Sequence, residues 1–256
     1  MSNKFNYTKA PKAKFRVLIV NSSGNSTKTT TGRGFVKQRM QEPTYYKVVG
    51  TNKKIESDEI LVTADRLSSI HQKLMQSTSV IVEVEISAYE QTINKMKEMK
   101  GCHNDYDFIL VPVINSSLKL IKDSVRTIEK LIEIGVSPNN VRVLFNRASN
   151  SDEYFDILTD KLDELKIPYD LRAQVKNYDF YERLDVLNIK YNDVTENKLR
   201  EDSEQVERLR NKLSLDIHTH RASQAYFIEA VTAQRAALDS KKNHDEVFNM
   251  LFGISA

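Results

Sequence analysis

Five short apolar runs set the strongest limit on how this chain can fold: residues 15–20 (FRVLIV), 45–49 (YYKVV), 80–86 (VIVEVEI), 108–113 (FILVPV) and 141–145 (VRVLF). Most lack polar alternation, which is the pattern of strands covered on both faces. Between them lie stretches with helical spacing, at 28–40, 64–75, 88–99, 118–134 and 154–165. The clearest is 118–134, where Leu120, Ile121, Val125, Ile128, Leu131 and Ile132 fall on one face and Gly135 follows as a cap. Strand and helix in alternation imply an α/β fold with a largely parallel sheet flanked by helices. Pro112 is expected at the end of its strand or at an irregular exit from it, and the IPYDL stretch from Ile167 is expected to add a short strand. After Asn188 the pattern changes. Residues 196–213 and 222–237 read as charged helices, so a helical C-terminal part is expected. The organisation read from this is a flexible basic tail at 1–14, a main domain at 15–190, and a helical region at 191–256 that packs on it or binds a partner.

Composition narrows the class. The 256 residues suit one large domain or one with a small appendage. Hydrophobic residues at 40% and charged residues at 29% are those of a soluble globular chain. No apolar run approaches the roughly 18 residues that a membrane span needs. The N-terminal stretch is basic but has no apolar core of the secretory kind. The single cysteine, Cys102, excludes an internal disulfide framework and a cysteine-based zinc finger. The expected location is therefore cytoplasmic. A net charge of +3 is too small to argue for nucleic acid by itself.

Only 7 glycines occur, and three of them, Gly24, Gly32 and Gly34, fall close together after the first apolar run. The stretch 17–30 reads VLIVNSSGNSTKTT: a buried strand, a loop of small residues, then Lys-Thr-Thr opening a helix. This is the layout of a P-loop, in which backbone N–H groups and a helix N-terminus cradle phosphate. A lysine there neutralises the β- and γ-phosphates and the next hydroxyl holds magnesium, which places Lys28 and Thr29 in those roles. Gly24 stands where a tight loop needs freedom in φ. Thr27 occupies the position that usually carries glycine, and a β-branched residue tolerates positive φ poorly, so the loop is either strained or differently wound. The same residues also suit a plain strand-to-helix turn capped by Ser26 or Thr27, with no ligand.

NSSGNSTKTT together with FVKQRM at 35–40 resembles the start of StbB-type plasmid stability proteins, within the ParA/MinD superfamily of P-loop ATPases. The resemblance continues through VIVEVEIS at 80–87, FILVPVINSSLKLIKDSVRTIEKL and GVSPNNVRVLFNRAS, so it spans residues 15–149 in order and spacing. It implies a P-loop NTPase fold of ParA/MinD type, with ATP and Mg2+ as cofactors. Lys28 then resembles the phosphate lysine and Thr29 the magnesium ligand, while Gly24, Asn25, Ser26, Thr27 and Thr30 would touch the phosphates. Glu83 stands where the family holds magnesium through water. Asn146 looks like the asparagine that reads adenine, since its amide can pair with the base edge. Ser23 occupies the place of the second, signature lysine of ParA-like proteins, which StbB-like sequences also lack. Glu85 replaces a glycine at the third strand's exit. Glu56, Asp58 and Glu59 are the nearest carboxylates that could polarise an attacking water, and no catalytic residue is assigned. Glu83 could equally be an outward residue of an edge strand, and Asn146-Arg147 could be a plain turn.

The other constellations are weaker. His218 and His220 read as a surface pair lacking a third ligand at matched spacing. Cys102 beside His103 does not match a cysteine-protease signature. Basic residues at Lys95/Lys97/Lys100, Arg208/Arg210/Lys212 and Lys241/Lys242 are interleaved with acids, the usual mark of a solvated helix face, although non-specific DNA stays open as a partner. Two functions follow from the sequence. One is a ParA/StbB-like ATP-binding protein in plasmid stability or segregation, a weak or switch-like ATPase with ATP/ADP, a plasmid-borne partner protein and a nucleotide-dependent homodimer as its associations. The other is an adaptor of the same fold that has lost nucleotide binding or hydrolysis.

Overall fold

The computed structural model describes residues 13–24, 27–50, 59–146, 155–175, 179–211 and 217–253. Seven strands form one sheet: β1 (Arg16–Ile19), β2 (Thr44–Val49), β3 (Ile60–Thr63), β4 (Val80–Val84), β5 (Phe108–Ile114), β6 (Val141–Asn146) and β7 (Gln174–Val175). Helices follow in the order α1 (Leu67–Gln76), α2 (Tyr89–Glu98), α3 (Leu118–Glu133), α4 (Phe155–Glu164), α5 (Asp179–Val186), α6 (Glu196–Asn211) and α7 (Ile217–Phe252). The strand order is β3-β2-β4-β1-β5-β6-β7, and every pairing is parallel. The all-parallel sheet expected from the apolar runs is present. From β1 the chain passes to β2 on one side, while α2 carries it from β4 across to β5 on the other. The carboxyl end of β1 therefore opens where the winding reverses, which is where open α/β sheets bind ligands.

The two faces of the sheet have separate cores. On one, Leu18, Val82, Val111 and Val143 pack against α1, α2, α3 and α4. On the other, Val17, Ile19, Ile81 and Leu110 pack against Phe35, Val36 and Met40 and against the C-terminal end of α7. Ser117 caps α3 by accepting from the Leu120 N–H at 3.4 Å, and Gly135 ends it at φ 97°. Pro112 does not end β5, which runs on to Ile114 beside β6. It lies past the last β1 partner, Leu110, where its missing N–H costs the ladder nothing on that side.

Several expectations are corrected. Residues 28–40 are helical but not a regular α-helix: Thr30–Val36 is wound as a π-helix that tightens into a 3-10 turn at Lys37–Arg39. Ala13, assigned to a solvated arm, is buried and bridges to Met40, its N–H donating to the Arg39 carbonyl at 3.1 Å. The strand expected from Ile167 is absent, and β7 forms further on, at Gln174–Val175. The edge strand β3 and helix α5 were not anticipated. The two charged C-terminal helices are present, and α7 continues to Phe252. Among the described residues no helix is long and apolar enough to cross a membrane.

The end of α7 is held by aromatic stacking. The Phe252 ring stacks on Phe15 at 4.6 Å and meets Phe108 at 5.1 Å and Phe248 at 4.8 Å. Arg142 donates to the Leu251 carbonyl, a group left over at a helix C-terminus, and lies over the Phe108 ring at 4.8 Å. Deleting a buried ring leaves a cavity that the surrounding side chains only partly fill. Phe252→Ala should therefore lower unfolding free energy by about 3–5 kcal/mol, read from the midpoint of chemical unfolding.

Candidate functional site

The loop after β1 is fastened before it reaches Lys28. The Asn21 amide donates to the Pro112 carbonyl and to Ser124 Oγ, both at 2.8 Å, while its carbonyl oxygen accepts from the Ser23 N–H at 2.9 Å. The Ser22 N–H donates to Thr127 Oγ1 at 3.0 Å, and its hydroxyl donates to the Asp123 carbonyl at 3.0 Å. Ser124 and Thr127 are three apart on α3 and so share one helix face. Sequence reading missed this tether; its only trace is two small polar residues on the buried face of a strongly amphipathic helix.

Lys28 is buried, and its Nζ donates to the carbonyls of Asn21 and Ser23, each at 2.9 Å. The ammonium is thus curled into its own loop. Burial pushes its pKa down to about 8, against the attraction of Glu83 and Glu85. Positive φ in this loop falls on Thr27, at 55°, and not on Gly24, where it was expected. A β-branched residue held there stores on the order of 1–3 kcal/mol. Among the contacts that hold it, Thr27 Oγ1 accepts from Asn146 Nδ2 at 2.7 Å, and the Thr27 carbonyl accepts from the Thr31 N–H at 2.8 Å. Asn146, expected to read adenine, is buried at the end of β6 with its amide on Thr27 of the loop after β1. Asn25 and Ser26 lie outside the described residues, as do Glu56 and Asp58.

Glu83 is a central-strand residue and not an outward residue of an edge strand. It is 1% exposed, at the carboxyl end of β4 between β1 and β2. Its Oε1 accepts from Thr29 Oγ1 at 2.6 Å, and its Oε2 accepts from the Tyr45 hydroxyl at 2.5 Å. Burial, then the neighbouring Glu83 charge, push the Tyr45 phenol well above its ordinary range, so it remains a donor. Lys47 Nζ lies 3.4 Å from Glu83 Oε1, 3.2 Å from Thr29 Oγ1 and 3.7 Å from Glu85 Oε1. Lys47 and Glu83 are direct partners in the β2–β4 ladder, so the backbone itself sets them opposite one another.

The pair expected to hold magnesium, Thr29 and Glu83, is instead joined directly at 2.6 Å, with the Lys47 ammonium beside both oxygens. With an ammonium already beside both oxygens, these residues do not fit a divalent ion as well. Among the described residues no group of three or more His, Cys, Asp or Glu could hold a metal ion. Glu59, a candidate for polarising water, is buried and paired with Arg33.

Gly32 and Gly34 serve packing and not the loop. A Cβ at Gly32 would lie 1.9 Å from the Tyr45 hydroxyl, and one at Gly34 would meet the Tyr181 ring at 2.6 Å. The FVKQRM stretch also has a structural explanation. Phe35 and Met40 are core residues, and Arg39 joins this helix to α7 through Asp245 at 2.8 Å and to Tyr191 Oη at 3.1 Å. Cys102 is buried with its thiol pushed up to about 11 by desolvation, which makes it inert. The basic clusters are laced with acids, as in Lys95–Glu98, Lys97–Glu133 and Lys242–Glu246. His218 and His220 fall within α7.

A lysine buried in a small-residue loop, at the carboxyl end of a central parallel strand and opening a helix, decides the architecture. The fold is an all-parallel α/β sheet flanked by helices, with this loop at the carboxyl end of a central strand. No family model matches the chain, and no curated protein matches it. Solved structures with some likeness include apo McdA from Cyanothece, with a TM-score of 0.42 and 14% identity over 66% of this chain and 88% of that one. An ATP complex of a Cyanothece McdA variant gives 0.47 and 12% over 96% and 98%. A plasmid partition protein from Borrelia burgdorferi B31 bound to AMPPNP gives 0.38 and 7% over 58% and 84%.

The Lys28 environment has a pH signature. Its folded pKa, near 8, lies below the ordinary lysine value of 10.5, so between these limits the unfolded chain binds more protons. Stability should therefore rise with pH across that window. Relative to Lys28→Met, which has no proton to lose there, the wild type should gain about 2–3 kcal/mol between pH 8 and 10.5 in chemical unfolding.

Proposed function

We propose that this chain is an ATP-binding protein of the ParA/StbB type, working as a nucleotide switch in plasmid stability or segregation. The observation that carries this reading is Lys28, a buried ammonium turned onto two carbonyls of its own loop at the point where the sheet reverses its winding. An ammonium in that position, beside a helix N-terminus, is an anion site ready for phosphate oxygens. Lys28, Thr29 and the backbone of the loop would hold the phosphates of ATP or ADP, with Thr30 at the start of the helix and Gly24, Asn25 and Ser26 along the loop. The γ-phosphate adds contacts in one state only, and that difference is what a switch reads out. A nucleotide-dependent homodimer, a plasmid-borne partner and non-specific DNA are the associations this reading carries.

Titration calorimetry with ATP and with ADP tests it. The wild type should bind saturably, and Lys28→Ala should lose at least about tenfold in affinity, the scale of one charge-assisted contact. Bound phosphate favours the charged amine, so ATP binding should take up a proton at about pH 8.5, where the nucleotide is itself fully ionised. Measuring the heat in buffers of different ionisation enthalpy shows this. Absence of saturation for the wild type with either nucleotide would sink the reading.

A second reading, a non-hydrolysing adaptor of the same fold, is favoured by one observation: Glu59 is already paired with Arg33 and so is not available to polarise a water. Release of phosphate from ATP, abolished by Lys28→Ala, separates the two. A wild type that binds ATP and releases no phosphate is the adaptor.

A further inference from the structure

We infer that Lys47 is the resident counter-cation of this phosphate loop, standing where a divalent ion would sit, so that the chain binds nucleoside triphosphate without a metal. The inference rests on the nucleotide reading above and concerns the chemistry of the same site. Its first support is positional. Lys47 and Glu83 are paired residues on adjacent parallel strands, so the ammonium is delivered to the carboxylate by the ladder and not by a chance rotamer of a surface lysine. The second is contact. Nζ lies 3.2 Å from Thr29 Oγ1 and 3.4 Å from Glu83 Oε1, the two oxygens that would otherwise face a magnesium ion and its water.

The third support is the cost of moving it. Glu83 is 1% exposed and the Lys47 side chain 13%. Withdrawing the ammonium would take from a buried carboxylate the cation that lies within 3.4 Å of it, and leaving a buried charge so under-compensated is strongly unfavourable. A divalent ion entering the same space would also meet the Lys47 charge at close range, in surroundings that screen it far less than water. The local charges are two lysines, Lys28 and Lys47, against Glu83 and Glu85. Both lysines come within reach of one loop, so cationic groups for phosphate are built into the chain. Where a metal supplies the counter-charge, removing it removes affinity. Where a lysine supplies it, chelation leaves affinity in place.

The experiment is ATP titration of the full-length protein in excess EDTA and in excess magnesium, on the wild type, Lys47→Gln and Lys47→Arg, with folding checked by circular dichroism. For the wild type the dissociation constants in the two conditions should agree within about fivefold. Lys47→Gln should bind at least about tenfold more weakly in EDTA and recover with magnesium, because the metal can then enter the vacated space. Lys47→Arg keeps the charge and should stay insensitive to EDTA, which keeps the test alive if the neutral variant does not fold. Wild-type binding more than about fivefold weaker in EDTA overturns the inference and leaves the nucleotide reading standing. Equal affinity of Lys47→Gln and wild type in EDTA also overturns it. Failure of the wild type to bind ATP in either condition overturns the nucleotide reading, and this inference with it.

Discussion

A carboxylate buried in the middle of a parallel sheet has to be compensated, and much of the arrangement around the candidate site follows from how Glu83 is. Its two oxygens draw in Thr29 from the phosphate loop, Tyr45 from β2 and the Lys47 ammonium from the same strand. That compensation ties the first helical residues after β1 to two strands at once. Tyr45 reaches the carboxylate past Gly32, where any side chain would collide with its hydroxyl. The glycine is thus a condition for the hydrogen bond, and the hydrogen bond is part of the condition for the charge.

The opposite end of the phosphate-loop helix is fixed by different chemistry. Arg39 is pinned by the Asp245 carboxylate and the Tyr191 hydroxyl and stacks over the Phe35 ring at 5.2 Å. Beside it, the Tyr181 hydroxyl lies 3.0 Å from His244 Nδ1, and the Tyr181 ring fills the space that Gly34 leaves open. The long C-terminal helix, through His244 and Asp245, joins Tyr181 of α5 and Tyr191 in seating the helix after β1 on the sheet. This is a structural reason for the spacing of Phe35, Arg39 and Met40 that is independent of any ligand.

Legibility in the sequence followed burial. The strands covered on both faces announced themselves as mostly apolar runs, and each lies where its run predicts. The edge strand β3 did not, because Ile60 is exposed and Leu61, Val62 and Thr63 are only half-buried, so four residues gave no distinctive pattern. The two-residue β7 is defined by pairing with Phe145 and Asn146 and not by its own composition. Thr27 was readable as a strained residue because its chemistry conflicts with its position, and φ 55° is where that conflict ended. The places of Lys28 and Thr29, where the loop after β1 turns into a helix, were legible from spacing alone. Lys47 was not. A lone lysine in YYKVV becomes informative only once strand register sets it against Glu83, and register is a property of two segments far apart in the chain. Gly32 and Gly34 drew attention for the right scarcity and the wrong reason, since the tyrosines they accommodate come from distant segments.

The stacking of Phe252 on Phe15 has a consequence for the order in which the molecule can assemble. One face of the first strand is completed by Val247, Phe248, Leu251 and Phe252, at the far end of the last helix. Synthesis delivers β1 early and its cover late, so a nascent chain carries an apolar strip at its centre until translation has passed that helix. Contacts so distant in sequence form slowly, and partly covered sheets are prone to associate with one another. The closing helix behaves as a latch: the cover over β1 is complete only when nearly the whole described chain has been made.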